Sequence, residues 1–106
     1  MSDDLFNIIY NKSLDLLSRR EHSFKEIKEK LSARFENKEI IESVIEKLSD
    51  NNLVNNTRYA EAYVSARKRK GFGPKKIAFE LSSKGVDESV TNSVIIEEGD
   101  WESAAK

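Results

Sequence analysis

Residues 67–76 read Arg-Lys-Arg-Lys-Gly-Phe-Gly-Pro-Lys-Lys, six cations set around a Gly-Phe-Gly-Pro break. Three chemistries fit such a stretch: a phosphate-cradling loop, a grip on an anionic partner, or a plain turn. The cradle fails on its parts. A dinucleotide-binding fingerprint needs a third glycine and a preceding strand, but Lys76 stands at the third position and the upstream pattern is helical. Pro74 also removes an amide that an anion nest would use. The glycines therefore make a turn. Arg67, Lys68, Arg69 and Lys70 close one helix, where cations complement the dipole, while Lys75 and Lys76 open the next, where they oppose it. That local cost points to an external anion. Phe72, at the expected tip, reads as an exposed apolar anchor for a partner surface.

No other group of residues suggests catalysis. His22 is the single histidine, and no HExxH spacing exists to make it a ligand. It reads as a surface histidine at a helix end. The serines have no histidine–carboxylate relay, and the acids fall on polar helix faces. With no cysteine, disulfides and thiolate sites are excluded. No catalytic residue, metal or cofactor is expected, and the chain is read as a non-enzyme. No apolar run reaches the length of a membrane span, and the N-terminus lacks the basic start of a signal peptide, so a cytoplasmic location without membrane contact is expected.

The net charge of −1 hides a segregation that bears on partners. From Arg67 to Lys84 there are seven Lys or Arg against the one acid Glu80, whereas Glu97 to Glu102 holds four acids and no base. Leu81, Gly85 and Val90 resemble the pivot of a helix-turn-helix, which would make Asp87 to Ile95 a recognition helix. That helix carries only acids among its charged residues, a poor surface for phosphates.

Helical periodicity covers nearly the whole chain. Leu5, Ile8, Ile9, Leu14, Leu16 and Leu17 mark a first helix ending near Arg20. Ser23 and Glu26 have capping-box spacing for a second, with Ile27 and Leu31 one turn apart. Asn37 caps a third carrying Ile40, Ile41, Val44, Ile45 and Leu48, after which Leu53 and Val54 return to the core. The pattern then restarts. Asn55 to Thr57 open a helix with Tyr59, Tyr63, Val64 and Ala66. Pro74 starts another with Ile77 and Leu81, and Gly85 suits a left-handed cap. Asp87 caps a last helix with Val90, Val94 and Ile95. Sliding the chain by fifty residues superposes Ile27 on Ile77, Leu31 on Leu81 and Ser43-Val44-Ile45 on Ser93-Val94-Ile95. The fold class is all-α, tandem repeats of three-helix modules, with modules at 1–54 and 55–98 and a further start at 99–106.

LLSRREHSFKEIKEKL (16–31) and RYAEAYVSARKRKGFGPKKIAFELSSKGVDESV (58–90) resemble the RecX family of recombinase regulators. The second block is the more specific, joining Arg-Tyr-Ala-Glu-Ala-Tyr, a basic Lys-Gly-aromatic-Gly-Pro and Lys-Gly-Val. The resemblance implies tandem three-helix modules without catalysis. It also implies binding along the groove of the RecA nucleoprotein filament, contact with the DNA backbone, and inhibition of the RecA ATPase, strand-exchange and coprotease activities. Arg67, Lys68, Arg69, Lys70, Lys75 and Lys76 are the candidate contact, Phe72 the candidate anchor. Arg19 and Arg20, fifty residues before Arg69 and Lys70, are candidates for a second contact. A monomer is expected. The alternative is a sequence-tolerant DNA-binding helical module that competes for DNA. Two departures from the family stand out. Phe35 occupies the place of a capping glycine, so a different and longer turn is expected there. The family usually has a third module, and Asp100-Trp-Glu-Ser-Ala-Ala resembles its opening, so 99–106 is expected to begin a truncated one. The segment from Glu97 is expected to fray or to pack on the last helix.

Overall fold

A computed structural model describes residues 2–99 and Trp101. Among these, six α-helices and no strand are found: α1 (Ser2–Arg19), α2 (Phe24–Arg34), α3 (Lys38–Asp50), α4 (Asn56–Arg69), α5 (Pro74–Ser83) and α6 (Glu88–Glu98). They form two compact units, Met1–Asn55 and Asn56–Lys106, each with three helices.

Local chemistry sets most helix boundaries. At the start of α2 the Glu26 amide donates to Ser23 Oγ at 3.1 Å and the Ser23 amide donates to Glu26 Oε1 at 3.3 Å, a closed capping box. The Ile40 amide donates to Asn37 Oδ1 ahead of α3. Pro74 is the first residue of α5, behind Gly73. Asp87 precedes α6 as expected but makes no side-chain capping bond; its φ of −56° belongs to the backbone geometry alone.

Three helices end in the same way. The amides of Leu53, Phe72 and Val86 donate back to the carbonyls of Leu48, Arg67 and Leu81, and those of Asn52, Gly71 and Gly85 to Ser49, Lys68 and Ser82. This paired pattern is the Schellman motif, which puts one residue in the left-handed region. Asn52 (φ 58°), Gly71 (94°) and Gly85 (82°) occupy it. Between α2 and α3 no such residue exists. Phe35 is extended there, with φ −125°, and its amide bonds to Leu31 O at 2.8 Å. The chain then spans only 35–37, against 84–87 in the second unit. The expectation of a longer turn is corrected. Without a left-handed residue the chain leaves the helix extended and reaches the next cap one residue sooner.

Each unit buries one small cluster. In the first it is Ile9, Ile27, Leu31, Ile41, Val44, Leu48 and Val54; in the second, Tyr59, Ala60, Val64, Ile77, Leu81, Val86 and Val94. Ile8, placed on the apolar stripe by its sequence spacing, is 56% exposed. One helix stripe has room for Ile9, and Ile8 lies about 100° around the axis from it. Ser13, also on the buried side, satisfies its hydroxyl by donating to Ile9 O at 2.9 Å. The expected third-module start at 99–106 lies mostly outside the described residues. Of it, Trp101 packs against the second cluster and its indole N–H donates to Ile95 O at 2.8 Å. α6 continues through Glu98, so it does not fray from Glu97.

Leu31 and Leu81 are equivalent and both fully buried. Leu31→Ala and Leu81→Ala should each lower the unfolding free energy by about 2–5 kcal/mol. Gly85→Val, forced into a left-handed conformation, should lower it by at least about 1 kcal/mol. Equilibrium urea unfolding followed by circular dichroism measures all three.

Candidate functional site: the basic turn

The turn between α4 and α5 is fixed at both ends. Gly71 completes the Schellman closure of α4, and the Ile77 amide bonds back to Gly73 O to begin α5. The cations around this rigid bend separate into two groups.

Arg67 and Lys68 are used within the unit. The Arg67 guanidinium donates from Nε and Nη2 to the two carboxylate oxygens of Glu80, at 3.1 and 2.9 Å. Tyr63 OH donates to the same carboxylate at 2.9 Å. The guanidinium carbon lies 3.8 Å from the Phe72 ring centroid, a close cation–π stack. The hydrogen bonds from Arg67, with a further one from Tyr63, hold the Glu80 carboxyl below its ordinary pKa against the opposing effect of burial. Lys68 turns the other way. Its ammonium donates to Glu98 O and Gly99 O at the C-terminus of α6 and sits 5.2 Å from the Trp101 ring centroid. It supplies the cation that this helix end otherwise lacks.

Arg69, Lys70, Lys75 and Lys76 are exposed. Lys76 Nζ lies 3.9 Å from Glu80 Oε2 while remaining 60% exposed. These four side chains, two on each side of the bend, make the outward positive surface.

Phe72 is corrected from an exposed tip to a half-buried residue of the second cluster, held beneath Arg67. The physical reason lies in the Schellman closure, which directs the residue after the left-handed glycine back over the last helical turn. Glu80 was missed as a member of this site. Its signal was available, since it is the one acid between Arg67 and Lys84.

In the first unit, Arg19 pairs with Asp15 at 3.2 Å, and Arg20 donates to Glu26 at 3.2 Å and to Glu21 O at 2.8 Å. Both arginines remain half or more exposed, 70% and 50%. Among the described residues, the cation–ring contacts involve Arg67, Lys68 and Lys76 of the second unit. The position fifty residues before Phe72 is His22, and it is buried, contrary to the surface reading. His22 takes the core-side place that Phe72 has in the second unit. Its Nδ1 lies 3.0 Å from Arg20 O and so carries the proton in the neutral ring. Nε2 is buried without a partner among the described residues. Burial lowers the His22 pKa, with Arg20 adding to the effect.

Among the described residues, no group of three or more His, Cys, Asp or Glu is placed to hold a metal ion, and no helix is long and apolar enough to cross a membrane. What stands out is a pair of three-helix units, one of them presenting four exposed cations on a braced bend. The described residues thus define an all-helical protein of two three-helix units.

Known proteins narrow the class to a family. Residues 10–48 match the family described as RecX, first three-helix domain, and residues 55–95 match RecX, second three-helix domain. A regulatory protein RecX of Pseudomonas fluorescens strain Pf-5 is 36% identical over 100 residues, which cover 93% of this chain and 64% of the relative. Another, from Pseudomonas fluorescens strain SBW25, is 39% identical over 83 residues, covering 78% of the chain and 54% of the relative. The crystal structure of RecX from Lactobacillus salivarius superposes with a TM-score of 0.85 at 32% identity, over 99% of this chain and 67% of that one. The chain belongs to the RecX family. It spans just under two thirds of the length of the first of these relatives.

Two pH-dependent outcomes follow from the site. Glu80 has a folded pKa below 4.5, so its contribution is complete above that value and fades as pH falls through the depressed pKa. Glu80→Gln should therefore lose about 1–3 kcal/mol at neutral pH, with the gap to the native chain closing in acid. Parallel urea titrations between neutral and strongly acidic pH would read it. For His22 the unfolded state binds the proton more readily, so stability should fall as pH drops below 6.5, until the folded pKa is passed. His22→Phe, which copies the second unit, should remove that part of the pH dependence in the same titration.

Proposed function

We propose that this chain is a non-enzymatic negative regulator that binds the RecA–DNA filament, inhibiting RecA ATPase, strand exchange and coprotease activity. Family membership supports the regulatory reading. The observation that carries the mode of binding is the braced bend with Arg69, Lys70, Lys75 and Lys76 outward. A recombinase–DNA filament is polyanionic, and cations held on a rigid support lose little freedom when they meet it. Arg67 and Phe72 serve this contact from beneath, as the clamp that braces the bend, while Lys68 ties α4 to the C-terminus of α6. Arg19 and Arg20 add a weaker second contact, since each already has a carboxylate neighbour.

The modules at 1–54 and 55–98 act in series, with 99–106 starting a third, in a monomeric cytoplasmic protein. Serial modules gain affinity through effective concentration. The second reading, a sequence-tolerant DNA-binding module competing for DNA, draws on the same cations. It differs in needing no recombinase.

Binding to RecA filaments should exceed binding to the same naked DNA at matched salt. A chain with Arg69, Lys70, Lys75 and Lys76 all changed to Glu should keep its helical content and lose most filament binding. Where phosphates are the contact, each lost site should reduce the log–log salt slope by about 0.7–0.9. Undiminished binding by that chain refutes the site. Equal affinity for filament and naked DNA supports the competing module instead.

A further inference from the structure

Phe79 on α5 is 77% exposed, and the fold does not require an aromatic residue there. Fifty residues earlier the first unit has Lys25, Glu26 and Glu29 where the second has Lys75, Lys76 and Phe79. Lys75 and Lys76 stand four and three residues before Phe79, so the helical repeat sets Phe79 between them, one turn further along α5. Both lysines are exposed. The basic turn therefore does not stop at its cations. It runs on to a bare aromatic ring, and it does so only in the second unit.

Charge and ring together select the occupant. Exposed cations on a rigid bend match phosphates. A duplex offers phosphates but keeps its base faces stacked inside, which leaves the ring idle. A second copy docked through the same face would set lysine against lysine. An unpaired strand offers both at once, a phosphate for each cation and a base face for the ring. The spacing agrees, since about 6 Å of helical rise separates Lys75 from Phe79, comparable with the reach from a phosphate to its own base. Beside the ring, a hollow of about 260 Å³ between α5 and α6 gives a base edge a place to lie, with the exposed Ser82 and Asn92 among its lining. The one acid in that lining, Glu88, opens α6 beyond the end of α5, whereas Lys75 stands at the start of α5. The phosphate end and the acidic end of the face are thus opposite.

Given the basic turn as the polyanion contact, on which this inference rests, we propose that Phe79 is a base-stacking platform. Lys75 and Lys76 hold the adjoining phosphates, and the ring takes the face of an unpaired base. The basic turn then prefers a single-stranded nucleic acid to a duplex, and Phe79 is the residue that sets the preference.

The test is a fluorescence-anisotropy titration of labelled oligothymidylate, of an abasic oligomer with the same number of phosphates, and of a duplex of the same length. The native chain should bind oligothymidylate more tightly than either of the others. Phe79→Ala should weaken oligothymidylate by at least about fivefold and leave the abasic oligomer and the duplex unchanged. Its log–log salt slope should equal that of the native chain, because no phosphate contact is lost. Phe79→Trp should keep the affinity, and its added emission should be quenched by the strand. Undiminished oligothymidylate binding by Phe79→Ala overturns the proposal, as does the absence of measurable binding by the native chain. An equal loss on all three ligands makes Phe79 a support of the bend and overturns it too. So does a loss confined to recombinase filaments, which would make the ring an anchor on protein. The basic turn is judged separately. The chain with Arg69, Lys70, Lys75 and Lys76 changed to Glu should lose all three ligands, and retained binding there refutes the turn whatever Phe79 does. Should Phe79→Ala fail to fold, Phe79→Leu, apolar but without a flat ring, is read in the same titration, and unaltered affinity for oligothymidylate counts against the proposal.

Discussion

A unit of roughly fifty residues can bury only a small core, and everything else in this protein answers to that limit. Each cluster is built from a few aliphatic side chains, with the pair one turn apart on the short middle helix, Ile27–Leu31 or Ile77–Leu81, fully buried. With so little apolar surface removed from water, helix ends cannot be left loose. The capping box at Ser23, the amide cap at Asn37 and the three Schellman closures satisfy groups that a larger core could have left to compensation elsewhere. Small cores make chain punctuation a main source of structural specificity.

The two units solve one local problem differently, and their surfaces differ as a result. Where the first helix of each unit turns into its second, a side chain must fill the space beside the core. In the second unit Phe72 fills it, and its outer face becomes a platform for Arg67, which Glu80 and Tyr63 then fix. In the first unit His22 fills it, bonded to Arg20 O, and no equivalent platform forms. The position matching Arg67 is Leu17 and that matching Glu80 is Lys30. One repeat therefore supports an outward cation cluster on a braced bend, and the matching bend of the other carries Arg19 and Arg20, each paired with a nearby carboxylate, and the exposed Lys25. The repeated fold is a frame on which the units have acquired unlike surfaces.

That division extends to the second unit itself. Its basic bend lies at the start of α5, while the exposed charged residues of α6 are all acids. Separating charge in this way keeps the overall balance near neutral and still leaves strong local fields of opposite sign.

Much of this was legible in the sequence because its causes are local. The capping box, Pro74 at a helix start, Gly85 beyond a helix end and the fifty-residue recurrence of Ile27 and Leu31 all act through neighbours a few residues away. The all-α tandem fold follows from them. The basic turn was equally plain as a charge pattern. What sequence could not decide was which cations face outward. Arg67 meets Glu80 and Lys68 meets Gly99 across gaps of 13 and 31 residues, and only packing brings those groups together. Phe72 and His22 were misplaced for a related reason, because a residue just past a helix end looks exposed until the closing turn folds it back. Ile8 and Ile9 differ in exposure only because one side of α1 meets α3. Local hydrogen bonding and periodicity are written in the order of residues, whereas burial and long-range pairing exist only once the three helices of each unit have closed on one another.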